Sequence, residues 1–280
     1  MVARRLCCVT PNALLKAPVV AGLEREMLDV IALFERELRE RGVAFEIDPE
    51  SLRHRIEHNG SIILVSLDNL IRDARQDADD ARIVGFVDTV LSTRRWPLSW
   101  VEARSGIYLA LEPSDYDEPP GIRQPLSDLV DRVPIYFDQE RKALTWIERS
   151  MIEKWGVTEA DVQAEALSNL ARCMDATKVS YDAIDGVRLG MLEATLPFKS
   201  ALLLAPNLKA AVEPDLGWPL YAVIPDRDFM FLWDARHVDF IGRVGFTVVK
   251  EFKNAPYPLS TEVFEVSDSG IVAIGAYPTE

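Results

Sequence analysis

The stretch Lys178-Val179-Ser180-Tyr181-Asp182-Ala183-Ile184-Asp185-Gly186-Val187-Arg188-Leu189-Gly190-Met191-Leu192-Glu193 decides the fold class. Two strand-like runs flank the dipeptide Asp185-Gly186, and both central positions of a type I′ turn need positive φ, which aspartate and glycine tolerate. The spacing predicts an antiparallel hairpin, not the long crossover that parallel strands require. The same grammar recurs on either side. Upstream, Pro134 to Asp138 and Ala143 to Ile147 read as paired strands leading into helical residues. There Thr158 to Asp161 has the form of an N-terminal cap, and Val162, Ala166, Leu170 and Met174 make an apolar stripe. Downstream, a helix near Phe198 to Val212 carries Pro206 as a kink, and Leu220 to Ile224 pairs with Phe229 to Trp233 across Pro225-Asp226-Arg227-Asp228. Asp234 is placed to cap a helix whose Val238, Ile241 and Val248 face inward, and Glu262 to Val266 with Ile271 to Ala276 close a last hairpin. The pattern is ββα three times, then ββ. A mostly antiparallel sheet with helices gathered on one face is the expected packing, and the fold class is α+β.

Working toward the N-terminus, Met27, Val30, Ile31, Phe34 and Leu38 recur at helical spacing from Leu23 to Arg41, with Gly42 as the stop. Three antiparallel strands follow, Val43 to Ile47, Leu52 to His58 and Ser61 to Leu67, turned by Asp48-Pro49 and Asn59-Gly60. Helices are expected near Asp68 to Gln76 and Asp80 to Ser92. The chain thus reads as a lead-in over 1–22, a smaller αβββαα unit of helices and β-hairpin over 23–95, a connector over 96–132, and an α+β domain over 133–280. The connector holds a strand at Gly106 to Leu111, then an acidic, proline-rich surface loop from Glu112 to Pro120.

At 280 residues, 48% apolar and 27% charged, the composition is that of a globular protein, and no window reaches the ~20 apolar residues of a membrane span. No membrane partner is expected. The net charge is −14 and unevenly placed: up to Trp96 there are 16 acids and 14 bases, and from Pro97 onward 29 acids and 17 bases. An anionic region of that kind repels a phosphate backbone, so nucleic acid is excluded as a partner. Cys7, Cys8 and Cys173 form neither a C-x-x-C pair nor a metal spacing, which fits a reduced, cytoplasmic compartment.

The segments Ile135-Tyr136-Phe137-Asp138, Ala143-Leu144-Thr145-Trp146-Ile147, Met151-Ile152-Glu153-Lys154-Trp155 and Ala166-Leu167-Ser168-Asn169-Leu170 together resemble the YtpQ-like family of uncharacterised bacterial proteins. Val223-Ile224-Pro225 through Asp226-Arg227-Asp228 to Phe231-Leu232-Trp233-Asp234 is a second point of likeness, and Phe45-Glu46-Ile47 with the following hairpin a third. The resemblance implies a cytosolic bacterial α+β protein. It carries over no catalytic residues.

His54-Arg55-Ile56-Glu57-His58 spells H-x-x-E-H, the inverted zinc-hydrolase signature, which needs both histidines on one helical face. On a strand, His54 and His58 stand roughly 13 Å apart and Glu57 points away, so no one zinc can join them. The alternation of Leu52, His54, Ile56 and His58 before Asn59-Gly60 favours the strand, leaving His54, Glu57 and His58 as weak metal candidates. Asp226-Arg227-Asp228 matches the D-x-D spelling of a glycosyltransferase metal element, but acids at a hairpin tip also bond their own backbone. If a carboxylate cluster exists, Asp226, Asp228 and Asp234 are its members. Cys173 lies in an expected helix with no histidine placed beside it by any local argument, and G-x-S-x-G, G-x-G-x-x-G and Walker A loops are absent.

Among six tryptophans, Trp155 and Trp218 sit at expected element ends, where an indole closes a core edge; the alternative is an aromatic patch for a partner, with Trp218 and Trp233 as binding candidates. The reading that follows is a non-catalytic protein-interaction or adaptor protein that needs no cofactor and binds a protein partner through the anionic C-terminal region or its hairpin tips. The alternative is a metal-dependent hydrolase or transferase using the carboxylate cluster.

Overall fold

In the computed structural model the first amphipathic pattern folds as a helix over Ala17–Glu40 (α1), and Gly42 follows it at φ 68°. The helix begins before Leu23 and so takes in residues read as a lead-in. The structure describes residues 17–47, 54–58, 61–65, 67, 70–71, 80–91, 99–115, 122–139, 143–255 and 257–279. Two units divide the chain, Met1–Trp96 and Pro97–Glu280.

The N-terminal unit holds Phe45–Ile47 (β1), His54–His58 (β2) and Ser61–Val65 (β3) in one antiparallel sheet of that order. His58 pairs with Ser61 and His54 with Val65, the register a two-residue connection imposes. The turns at Asp48-Pro49 and Asn59-Gly60 lie outside the described residues, as does most of the helix expected near Asp68 to Gln76. Asp80–Leu91 (α2) buries Ile83, Val87 and Val90 against Phe34 and Leu38 of α1 and Ile56 of β2. Burial at helical spacing on α2 and at every second residue on β2 makes this core.

In the C-terminal unit, residues expected as a connector build a sheet. Trp100–Ala103 (α3) and a 3₁₀ turn at Arg104–Gly106 lead into Ile107–Pro113 (β4). Gln124–Pro125 (β5), Val130–Asp138 (β6) and Ala143–Trp146 (β7) complete four antiparallel strands. The strand β6 is central: β4 pairs along one side, and β5 and β7 share the other. A long acidic segment separates β4 from β6, so no local turn signal announces the pairing.

After Arg149–Trp155 (α4), Glu159–Asp175 (α5) opens with the expected capping box: Asp161 donates its N–H to Thr158 Oγ1 at 3.1 Å, and Thr158 donates its N–H to Asp161 Oδ2 at 2.9 Å. Its buried stripe includes Val162, Ala166, Leu170 and Met174. Buried Asn169 donates to the carbonyls of Arg104 at 2.8 Å and Ile107 at 2.6 Å, which ties α5 to the start of β4.

The remaining strands are Lys178–Ile184 (β8), Val187–Glu193 (β9), Leu220–Asp226 (β10), Phe229–Asp234 (β11), Glu262–Ser267 (β12) and Gly270–Ala276 (β13). They form one antiparallel sheet in the order β13-β12-β10-β11-β9-β8. Asp185 at φ 51° and Gly186 at φ 79° give the turn the sequence demands. The α+β class therefore holds: the N-terminal unit has its expected three-stranded sheet, and the C-terminal unit has two sheets in place of one.

Helices cover both faces of the six-stranded sheet, not the single face expected. On one face Phe240–Asn254 (α7) sets Phe240, Val244 and Val248 against Tyr221, Val223, Trp233 and Val263. On the other, Leu208–Leu216 (α6) brings Leu216 so close to Gly190 that a Cβ there would lie 2.7 Å from its Cδ1. The reason is legible in β10 and β11, whose residues are buried almost without interruption, as strands covered on both sides must be. Two local expectations also change. Pro206 separates a 3₁₀ segment at Lys199–Leu204 from α6 and does not kink one helix. Asp239, not Asp234, stands at the start of α7, and Val238 is exposed.

Candidate functional site

The two ends of β2 decide the histidine motif. His54, Arg55, Ile56, Glu57 and His58 form a strand, so the helical face a zinc-hydrolase signature requires does not exist. His54 is fully buried, its ring edge-on to Phe34 at 5.1 Å and its Nε2 3.3 Å from Glu35 Oε1. Glu57 points outward and is exposed, and His58 is half-buried at the far end. Among the described residues no group of three or more histidine, cysteine, aspartate or glutamate side chains is arranged to hold a metal ion.

Asp234 stands apart from Asp226 and Asp228. Asp226 pairs with Phe229 at the hairpin tip while Asp234 pairs with Leu220 at its open end, on the order of 17 Å away at ~3.4 Å per residue. Asp234 accepts the backbone N–H of Arg236 at 2.8 Å and its Nε at 2.7 Å, and the Arg236 side chain holds its carboxyl below the ordinary range. Asp226 Oδ1 accepts the N–H of Asp228 at 2.7 Å, a side-chain turn of the ordinary kind. Of the tryptophans, Trp233 is fully buried between Tyr221 and Phe240, which assigns it to the core. Trp218 remains accessible, donating Nε1 to Asp268 at 3.0 Å beneath the Lys209 ammonium.

The hairpin tip does not splay into solvent. Arg227 donates its N–H to Tyr257 O at 3.0 Å and accepts from Ser200 N at 3.0 Å, and Leu259 donates to Pro225 O at 3.0 Å. The Arg227 guanidinium lies 3.8 Å from the Tyr257 ring centre and faces Glu112 at 3.7 Å. Glu112, expected on a surface loop, belongs to β4 and is only 5% exposed. Burial pushes its carboxyl above the ordinary range, and the guanidiniums of Arg227 and Arg123 oppose that shift. Asp228 is raised by burial, with Asp226 adding to the shift and Lys199 opposing it. Among the described residues, Glu112 Oε1, Ser200 Oγ, Arg227 Nε and Asp228 Oδ1 are shielded from solvent and find no hydrogen-bond partner. This is an interior charge lock between the four-stranded sheet and the β10–β11 tip, and its residues line neither of the described cavities.

The opening lies elsewhere in the same unit. A groove of about 650 Å³ runs between α5, the segment from Leu203 to Lys209, and the β12–β13 turn. Leu109, Leu126, Leu167, Leu203 and Ile271 supply apolar lining, and Trp218 is part of it. One rim is fixed by the Lys209 ammonium, which donates to both carboxylate oxygens of Asp268 at 2.9 and 3.0 Å. Those contacts lower the Asp268 carboxyl and raise the Lys209 amine from their ordinary values. Arg132 of β6 stands in the wall.

Beside the groove, β13 is the last strand of its sheet. Its residues, Gly270 to Ala276, carry no charge and no proline, and Val272 and Ile274 are exposed. The opposite edge, β8, carries Lys178 and Asp182, charges that blunt an edge against pairing. Of the residues that sequence reasoning singled out, Trp218 lines the groove and Asp226 and Asp228 do not; it missed the groove and Arg132. No local signal marks a cavity assembled from elements so far apart in the chain.

Fold and groove together describe an α+β protein with a surface groove beside the last strand of its six-stranded sheet. No protein-family model, curated protein or solved structure matches the chain.

Proposed function

We propose that this chain is a non-catalytic interaction protein that seats an extended segment of a partner protein in the groove of its C-terminal unit. The observation that carries the reading is the groove itself: about 650 Å³, with apolar side chains interspersed with polar ones, within the volume range of ligand-binding clefts. The uncharged edge of β13 supports an extended occupant, because a strand added there completes its ladder and sends alternate side chains over the face that Ile271 shares with the groove. No observation favours the metal-dependent alternative, since Asp234 stands apart from Asp226 and Asp228. The cytoplasmic location argued from cysteine usage and the likeness to the YtpQ-like family belong to the same proposal.

Selection of random linear peptides on the full chain tests it. Enriched peptides should be apolar and strand-favouring, and Leu167→Asp, which sets a charge on the groove wall, should abolish their binding while the melting temperature stays near that of the parent. Failure to enrich any sequence, or undiminished binding by Leu167→Asp, removes the proposal.

A further inference from the structure

We infer that the groove selects a partner segment carrying an acidic side chain among its apolar residues, and that Arg132 is the group that reads it. The inference rests on the groove reading above and names the chemistry of its occupant. It starts from a charge imbalance. The C-terminal unit has 29 acids to 17 bases, so an arginine on it meets a carboxylate easily. The other described arginines of the unit do, as with Arg104 beside Glu165 at 2.8 Å and Arg123 beside Asp131 at 3.4 Å. Among the described residues Arg132 has no such partner. Its contact is a single hydrogen bond, from Nη2 to the Pro125 carbonyl at 3.1 Å, and its Nε is shielded from solvent and donates to nothing.

Position turns that vacancy into a site. Arg132 is held in β6 between Leu111 of β4 and Gln124 of β5, so its backbone is fixed on both sides before any partner arrives. Its side chain shares the groove wall with Leu109 and Leu126. A cation partly stripped of water and short of acceptors favours a carboxylate, which a guanidinium meets with two parallel charge-assisted bonds. The field of the unit decides how that carboxylate comes. Free small anions are repelled by the net negative charge, whereas a carboxylate borne on an apolar segment is carried in by the contacts of its neighbours. The number of charges is decided by Lys209. Its ammonium is already taken by Asp268, so among the described residues the groove offers one cation without a carboxylate, which suits a single carboxylate better than a doubly charged phosphate.

The test uses the full chain and the peptides it selects. Enriched sequences should place Asp or Glu among apolar residues. Arg132→Gln, and replacement of the peptide's acid by its amide, should each weaken binding about tenfold, as loss of a charged hydrogen bond does. Combining the two should cost no more than either alone. Arg132→Lys should recover part of the loss, and added salt should weaken the parent complex more than the Arg132→Gln one. Peptides without acids, or additive losses when the two changes are combined, overturn the inference. Leu167→Asp keeps the two proposals distinct. If it abolishes binding while Arg132→Gln binds as the parent does, the groove reading stands and the assignment of Arg132 falls. If Leu167→Asp binds as the parent does, or nothing is enriched, both fall.

Discussion

Arg227 and Arg132 stand in one unit and have opposite surroundings. Arg227 lies on the Tyr257 ring, faces a buried glutamate and has its backbone bonded to two other segments. Arg132 lines an open groove with one hydrogen bond and, among the described residues, no carboxylate. A guanidinium enclosed with its counter-charge serves the fold, because removing it strands a charge in the interior. One left without a counter-charge at an opening is spare to the fold and available to a ligand.

The largest expected effect comes from breaking the enclosed side. Arg227→Met leaves Glu112 without its facing cation and should cost on the order of 3 kcal/mol in chemical denaturation. A loss no larger than that of an ordinary surface substitution would mean that the two regions do not differ as described. The pH dependence sharpens the same point. Glu112 keeps its proton to higher pH in the folded unit than in the unfolded chain, so the folded state binds more protons in the window above the ordinary glutamate range. That contribution to stability is present at low pH and is lost as pH rises through the folded value. Glu112→Gln should flatten this fall relative to the parent, and an unchanged slope would contradict the assignment.

Thr158→Ala removes the capping box of α5, outside both regions, and should cost about 1 kcal/mol. It calibrates the scale of an ordinary local contact. Smallest of all, Arg132→Gln should move stability by no more than about 0.5 kcal/mol, because it breaks one hydrogen bond at a half-buried position. A loss comparable to that of Arg227→Met would show that Arg132 also serves the fold.

What the sequence made legible was local. The β8–β9 hairpin appears with the bounds its turn dictates, because Asp185-Gly186 fixes the register within a few residues. Thr158 and Asp161 announce α5, and Val162, Ala166, Leu170 and Met174 announce its buried side. What stayed hidden depends on distance along the chain. Glu112 continues the strand period of Tyr108 and Ala110, yet its neighbours Pro113 to Pro120 read as loop, and its partner Arg227 lies in a turn of another sheet. Helices on both faces of the large sheet could have been read from the unbroken apolar runs Leu220 to Ile224 and Phe229 to Trp233. The groove could not. Its walls come from β4, β6, α5, the 203–209 segment and β13, and nothing short of their assembly places Arg132 at an opening.

Amide hydrogen exchange on the full chain, with and without a selected peptide, tests the central claim most directly. If an extended acidic segment occupies the groove and pairs along β13, exchange should slow at Gly270 to Ala276 and from Leu203 to Lys209. Protection confined to the β8 edge or to the N-terminal unit, with β13 exchanging as fast as in the free protein, would contradict it.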